Sequence, residues 1–258
     1  MHIQFRKCNR IIQSAKVTLI SLPLLMIMSA PLRAQQNLLD DLMKTADSFN
    51  QKLLELTALS EQEENDIGAE LQKKILKGQK TVNEKNYDVK KIFSGILKYS
   101  KRKLKYEYRI IKDKDVNAYA ILGGRIFINS AVLDFVSNEN ELAFIIAHEI
   151  AHNELKHCVK KVQYAARVSQ INPVFGAVVQ TAYSVYKIPF TKYEESEADE
   201  LGVRLMLKAG YKKDGAISFM DKLGVLEKKY GEEDRTVLND FISSHPTAEE
   251  RKKKIKDI

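Results

Sequence analysis

Cysteine is scarce in this chain of 258 residues, which contains only Cys8 and Cys158. Cys8 lies in an N-terminal segment that we expect to be removed, and it does not follow directly after an apolar run, where a lipid-modified cysteine would lie. Cys158 would then be alone in the mature protein, which excludes an intramolecular disulfide. An oxidising compartment is therefore permitted but not required.

Acidic residues are absent from segment 1–34, although the whole chain has 34 Asp and Glu. The segment begins with basic residues, continues with an apolar run from Val17 to Met28 and ends at the small residue Ala34. This is the layout of a secretory signal peptide, and the run is shorter than the roughly 20 residues of a membrane span. We expect cleavage after Ala34, and an uncleaved membrane anchor is the alternative. Removal lowers the formal charge from +8 to +3, which argues against nucleic-acid binding.

Long hydrophobic runs are also lacking after this leader, so no membrane-spanning helix is predicted there. The most apolar remaining segment, 165–186, contains several amides and a proline, and we predict a lid or a hairpin for it. The chain has neither internal repeats nor low-complexity linkers. We divide it into a signal peptide (1–34), an N-terminal helical segment (35–84) and one larger domain (85–258).

The spacing of apolar residues predicts a mostly helical α+β fold with one small antiparallel sheet. Alternation from Tyr106 to Ile110 is typical of a strand with one wet face, and two short strands, 117–121 and 125–129, would be joined at a glycine pair. Helical spacing recurs in 37–79, 89–101, 191–209, 214–229 and 247–255.

A long helix is predicted from Glu141 to beyond His157, with Asn138 or Asn140 as its N-cap. The small sheet would pack against it. We expect the lysines near its end to face water: Lys156, Lys160 and Lys161.

This helix contains the motif His148-Glu149-Ile150-Ala151-His152. Histidines four residues apart lie about 40° apart around a helix axis, so both imidazoles can bind one cation. Zinc prefers such nitrogen ligands, and a catalytic zinc site keeps one position for water. Glu149 would lie beside that water as the general base. The motif is short enough to occur by chance, so the interpretation depends on a third ligand.

Two arrangements could supply that ligand. A helix break at a glycine after the motif would bring position 158 back to the metal, but Leu155 occupies the glycine position, and Cys158 is better interpreted as a buried thiol. Alternatively, Glu195 on a second helix binds the metal, while Asp199, one turn later, accepts a hydrogen bond from a ligand histidine. Glu194 and Glu197 are fallback ligands, and a solvated acidic helix face is the plain alternative.

Six motifs follow one another between about residues 85 and 258: Asn117-Ala118-Tyr119-Ala120, Gly123-Gly124-Arg125-Ile126-Phe127, Glu139-Asn140-Glu141-Leu142-Ala143, the histidine motif, Glu195-Ser196-Glu197-Ala198-Asp199 and Ser244-His245-Pro246. In order and spacing they resemble the HtpX and CaaX-prenyl-protease family of zinc peptidases. The soluble, exported members, similar to periplasmic proteases of outer-membrane assembly, fit better than the multi-span members. Leu122 and Ala151 depart from the family's usual proline and glycine.

The resemblance implies a zincin-like fold and one Zn²⁺ per chain. It implies His148, His152 and Glu195 as ligands, Glu149 as catalytic base and Asp199 as the residue behind a ligand histidine. His245 would approach the zinc, either to stabilise an oxyanion or as an inhibitory ligand, although an ordinary loop histidine is an equal alternative.

We therefore predict an exported zinc metalloendopeptidase of the periplasm or outer-membrane periphery, or a secreted one. Its partners would be protein substrates, held as an added strand along Asn117, Ala118, Tyr119 and Ala120, and envelope assembly machinery. One alternative is a chaperone or assembly factor whose zinc site is closed by segment 165–186. A nucleic-acid or lipid-surface binder using lysines 73–80 and 252–254 is a third and weaker alternative.

Overall fold

The computed structural model describes residues 59–168, 175–230 and 248–258. The predicted leader, the first part (35–58) of the predicted N-terminal helical segment and His245 lie outside these residues. The described elements, in chain order, are α1 (Glu61–Leu76), α2 (Val89–Leu97), β1 (Glu107–Ile111), β2 (Ala118–Ile121), a single 3₁₀ turn (Leu122–Gly124), β3 (Arg125–Asn129), α3 (Val132–Phe135), α4 (Glu139–Glu154), α5 (His157–Val168), α6 (Phe175–Val185), α7 (Lys192–Lys208), α8 (Lys213–Tyr230) and α9 (Ala248–Asp257). The predicted mostly helical α+β fold is confirmed.

The three strands form a mixed sheet in the order β1-β3-β2. β2 and β3 are antiparallel, as predicted, but β1 pairs with β3 in parallel. The prediction of an antiparallel sheet was therefore wrong for β1, because β3 inserts between β1 and β2 instead of pairing at an edge. Every residue of β3 is buried, in keeping with its central place.

The turn between β2 and β3 requires glycine. Gly123 and Gly124 have φ angles of 75° and 77°, and a Cβ atom on Gly123 would lie 2.8 Å from the carbonyl oxygen of Glu64. The Gly123 N–H donates to the Glu64 carboxylate at 3.2 Å, and Arg102 binds that buried carboxylate as well. These contacts fix the hairpin against α1.

Helix α1 belongs to the same compact unit as the sheet and the later helices, and this unit spans Ala58–Ile258. The boundary predicted at residue 84 falls inside it. α1 packs on the 3₁₀ turn and on α6, where the Lys74 ammonium lies 4.4 Å from the ring centre of Tyr183.

Helix α4 is capped by Asn138, whose side chain accepts from the N–H groups of Asn140 and Glu141. The helix is buried on all sides from Glu141 to Asn153. It ends at Glu154, so the prediction that it continues beyond His157 was wrong. Lys156 has a φ of 62°, and this left-handed residue separates α4 from α5.

Segment 165–186 was predicted as a lid or hairpin, and its described residues form the end of α5, all of α6 and Tyr186 directly after it. No helix among the described residues is both long and apolar enough to cross a membrane. Lys156 and Lys160 are exposed, as predicted. Lys161 is only partly exposed, contrary to the prediction, because its ammonium donates to the Ile188 carbonyl at 2.6 Å and lies 3.5 Å from the ring centre of Phe190.

Candidate metal centre

The candidate metal centre lies where α4 and α7 pack against each other. Gly202 on α7 permits this approach, since a Cβ atom there would lie 3.0 Å from the backbone nitrogen of His148 and 3.1 Å from its Cα. α7 begins with a capping box in which Thr191 and Glu194 exchange side-chain to backbone hydrogen bonds. Glu194 therefore caps the helix, while Glu195 faces α4.

Donor atoms of three side chains converge between the two helices. Nε2 of His148 lies 3.0 Å from Nε2 of His152, and the two oxygens of the Glu195 carboxylate face one nitrogen each: Oε2 lies 3.4 Å from His148 Nε2 and Oε1 lies 3.3 Å from His152 Nε2. All three side chains are buried. Donors bound to one tetrahedral zinc at 2.0–2.2 Å are about 3.3–3.6 Å apart, so the observed separations are close to those that a shared cation needs. These residues form a group able to hold a metal ion.

Behind His148 lies a chain of charged groups. Asp199 Oδ1 is 3.0 Å from His148 Nδ1, and Arg251 on α9 donates to both Asp199 oxygens at 2.7 Å. Arg251 also lies 3.1 Å from Glu195. The structure thus brings Asp199 to the position predicted for it, but Arg251 was not predicted. Its only sequence signal was an arginine close after the Ser244-His245-Pro246 motif.

The charges in this buried cluster shift each other's protonation. Burial alone would lower the pKa of His148, but Glu195 and Asp199 outweigh it and raise the pKa to about 9. Burial alone would raise the pKa of Asp199, but Arg251 outweighs it and lowers the pKa to about 2. Asp199 therefore stays ionised and can accept from the His148 Nδ1–H. A cation that displaces the second proton of His148 would then meet the Nε2 lone pair, which is directed at the other donors.

His152 is surrounded differently. Its ring stacks on Phe190 with centroids 3.8 Å apart and planes inclined by 16°. Its Nδ1 lies 3.0 Å from Nδ1 of His157, which is fully buried. Burial is also the main cause that lowers the pKa of His157, to about 3, so this imidazole is neutral. Neither Phe190 nor His157 was predicted as a site residue.

Glu149 is fully buried next to His148. Burial alone would lower the pKa of Arg251, but Asp199, Glu195 and also Glu149 outweigh it and raise the pKa. The Glu149 carboxylate is thus close enough to the cluster to interact with it electrostatically. This is compatible with the base role predicted from the sequence, which stays a prediction.

Cys158 is not among the grouped donors. Its thiol lies 3.6 Å from the Ala120 carbonyl, and burial raises its pKa to about 12. The interpretation of Cys158 as a buried thiol is confirmed.

The predicted substrate strand is the edge strand β2. The backbone carbonyl of Asn117 accepts from the Asn129 N–H at 2.9 Å. Because backbone groups alternate in direction along an antiparallel strand, those of Ala118 and Ala120 point away from β3. Cys158 contacts the outward carbonyl of Ala120, and Tyr119 contacts Tyr186 of the segment after α6. The outer edge of β2 is therefore partly covered by the α5–α6 region.

The profile of peptidase family M48 matches residues 83–258. The chain belongs to peptidase family M48. The resemblance to zinc peptidases inferred from the motifs is thereby confirmed.

Two curated relatives show how this M48 chain compares with longer proteins. It is 28% identical over 162 residues to mitochondrial metalloendopeptidase OMA1 of Schizosaccharomyces pombe, covering 60% of this chain and 47% of the relative. It is 26% identical over 136 residues to the beta-barrel assembly-enhancing protease of Yersinia pestis, and this match covers 46% of this chain and 28% of the relative. The chain thus spans less than half the length of either relative.

Proposed function

We propose that this protein is a zinc-dependent metalloendopeptidase whose metal is held by His148, His152 and Glu195. The observation that carries the proposal is the convergence of these three side chains, whose donor atoms lie 3.0, 3.3 and 3.4 Å apart in pairs. Two imidazoles and one carboxylate are the protein ligands of a catalytic zinc site with one position left for water. Membership of a peptidase family directs this chemistry to peptide bonds.

Each side chain in the site has a distinct task in this proposal. Zinc, when bound, lowers the pKa of water towards about 7 and polarises the substrate carbonyl. Glu149 takes the proton of the attacking water and passes it to the leaving amine. Asp199 holds the His148 tautomer, and Arg251 keeps Asp199 ionised.

The substrate would lie extended along the outer edge of β2 and pair with the backbone groups of Ala118 and Ala120. Asn117 and Tyr119 complete this predicted strand. His245 would stabilise the oxyanion or bind the metal as an inhibitor. A His245→Ala variant separates the two roles, since the first predicts lost cleavage and the second predicts faster cleavage.

The proposal is tested with unfolded casein and purified protein. We expect the wild type to cleave casein, and both a chelator and the Glu149→Gln substitution to abolish cleavage. Glu195→Ala should also lose zinc by elemental analysis. Glu200→Gln is the matched control on α7, because Glu200 is exposed and pairs with Arg204. Equal fragment patterns in wild type, chelated protein and Glu149→Gln would end the peptidase proposal.

We further propose that the substrates are exported or envelope proteins handled in protein quality control. One relative is named for beta-barrel assembly and the other for mitochondria, so the shared core alone does not fix the compartment. The leader-like segment 1–34 supports export. N-terminal sequencing of protein from a periplasmic fraction should begin at Gln35, whereas a full-length cytoplasmic product would contradict export.

A chaperone or assembly factor with a gated, mostly silent zinc site is the second candidate. It is favoured by the cover over β2, where Cys158 contacts the Ala120 carbonyl. Full zinc occupancy without casein cleavage, combined with suppression of aggregation that Glu149→Gln leaves unchanged, would support this candidate over the first.

A further inference from the structure

The helix break after α4 has a chemical consequence at the metal centre. In a continuous helix, a residue five positions after His152 would lie about 140° away around the axis, too far round for the two rings to meet. The left-handed conformation of Lys156, with φ 62°, ends α4 and starts α5 directly at His157. His157 thereby comes back to His152, and the two Nδ1 atoms lie 3.0 Å apart.

The orientation of His152 determines which nitrogen carries each proton. Its Nε2 lies among the grouped donors, 3.3 Å from Glu195 Oε1, so this nitrogen must offer a lone pair to a cation. The neutral ring then carries its proton on Nδ1, which points at His157. His157 must accept with Nδ1 and carry its own proton on Nε2. The Glu197 carboxylate lies 3.4 Å from that Nε2, and a negative charge there suits an N–H.

We propose that His157 is the positioning residue for the ligand His152, accepting its Nδ1–H as Asp199 accepts that of His148. The inference rests on the proposed metal site. The two ligand histidines would then have partners of different charge, an ionised carboxylate and a neutral imidazole. The neutral partner orients His152 without adding another negative charge to a centre that already contains Glu195 and Asp199.

His157 is not placed as a fourth ligand. Its Nδ1 faces the Nδ1 side of His152, which is remote from Nε2, and the described residues that converge on the metal position are His148, His152 and Glu195. Phe190 complements His157, because stacking at 3.8 Å fixes the plane of the His152 ring while His157 fixes its rotation within that plane.

The test compares zinc dissociation constants, measured by competition with a chromophoric chelator on the full chain. His157→Leu removes the acceptor, and we expect affinity to fall about 10- to 100-fold, the usual effect of losing a hydrogen-bond partner of a ligand. His157→Asn places an amide oxygen near the position of Nδ1 and should recover most of the affinity. Val159→Ala, at another buried position on α5, is the packing control and should bind zinc like the wild type.

The absorption spectrum of the cobalt-substituted protein is the second measurement. We expect His157→Leu to shift the cobalt bands and His157→Asn to restore them, which a general loss of stability would not do. Wild-type zinc affinity in His157→Leu would overturn the inference. An equal loss of zinc affinity in His157→Leu and His157→Asn, or in His157→Leu and Val159→Ala, would overturn it as well.

Glu195→Ala in the same titration separates this inference from the proposed site. If the wild type binds no zinc, or if Glu195→Ala binds as tightly as the wild type, the site itself is wrong. If Glu195→Ala loses zinc but His157→Leu does not, the site stands and only the role of His157 fails.

Discussion

Arg251 on the last helix donates to both carboxylate oxygens of Asp199 at 2.7 Å, deep behind the candidate metal centre. Both side chains are almost completely buried. A buried ion pair is costly to break from one side, because the remaining charge stays in a poorly solvated place. The C-terminal helix is therefore an integral part of the site and couples folding of the chain's end to the orientation of His148.

Arg251→Met should destabilise the protein by about 3–5 kcal/mol, the usual cost of leaving a buried partner uncompensated. It should also weaken zinc binding, since Asp199 then loses the charge that keeps it ionised. Chemical denaturation and chelator competition measure the two effects. Arg204→Met is the control, because the Arg204–Glu200 pair is exposed and contributes little. Equal stabilities of the two variants would contradict the structural role of Arg251.

Zinc affinity should rise with pH between about 6.5 and 9. The pKa of His148 is raised from 6.5 to about 9 because Glu195 and Asp199 outweigh burial. Zinc must displace that proton, so the apparent affinity should rise about tenfold per pH unit in this window and level off above it. The measurement is the dissociation constant at several pH values.

The same group has the opposite effect on stability when a chelator keeps zinc away. A raised pKa stabilises the fold fully below the unfolded value of 6.5, and this stabilisation is lost as pH rises through about 9. In the presence of a chelator, the midpoint temperature of thermal unfolding should therefore fall more between pH 6.5 and about 9 in the wild type than in His148→Asn. Parallel curves would show that His148 does not hold its proton this way.

Patterns in the sequence predicted the candidate metal ligands better than the residues that contact those ligands. His148, His152, Glu195 and Asp199 could be found because helical spacing of four residues is a local rule. His157 and Arg251 could not be found in this way. The place of His157 depends on the left-handed conformation of Lys156, which no glycine signals, and Arg251 lies 52 residues from its partner Asp199.

The sheet shows a similar limit. Alternation from Tyr106 to Ile110 indicated a strand, but this pattern contains no information about which neighbouring strand it pairs with. The parallel pairing of β1 with β3 follows from tertiary packing alone.

Cys158 should be chemically inert in the folded protein. Burial raises the pKa of its thiol to about 12, so very little thiolate forms at neutral pH. We expect no labelling by iodoacetamide within hours under native conditions and complete labelling in denaturant, followed by mass spectrometry. Cys158→Ser should retain zinc, because the hydroxyl can still donate to Ala120 and the thiol is not a ligand. Rapid native labelling or loss of zinc in this variant would contradict both points.

Two glycine substitutions should have opposite effects, because one glycine lies at a helix contact and the other does not. At Gly202 an added methyl group would lie 3.0 Å from the backbone nitrogen of His148, and backbone atoms cannot move aside as a side chain can. Gly202→Ala should therefore separate α4 from α7, lower stability by about 1–3 kcal/mol and weaken zinc binding.

Gly95 in α2 has no atom within 4 Å of the added group, so Gly95→Ala should stabilise its helix by about 0.5–1 kcal/mol and leave zinc affinity unchanged. Denaturation and chelator competition on both variants distinguish helix propensity from helix contact. If Gly202→Ala were as stabilising as Gly95→Ala, α7 would not approach His148 as closely as the structure shows. The short distances from Glu195 to the two histidines would then be contradicted as well.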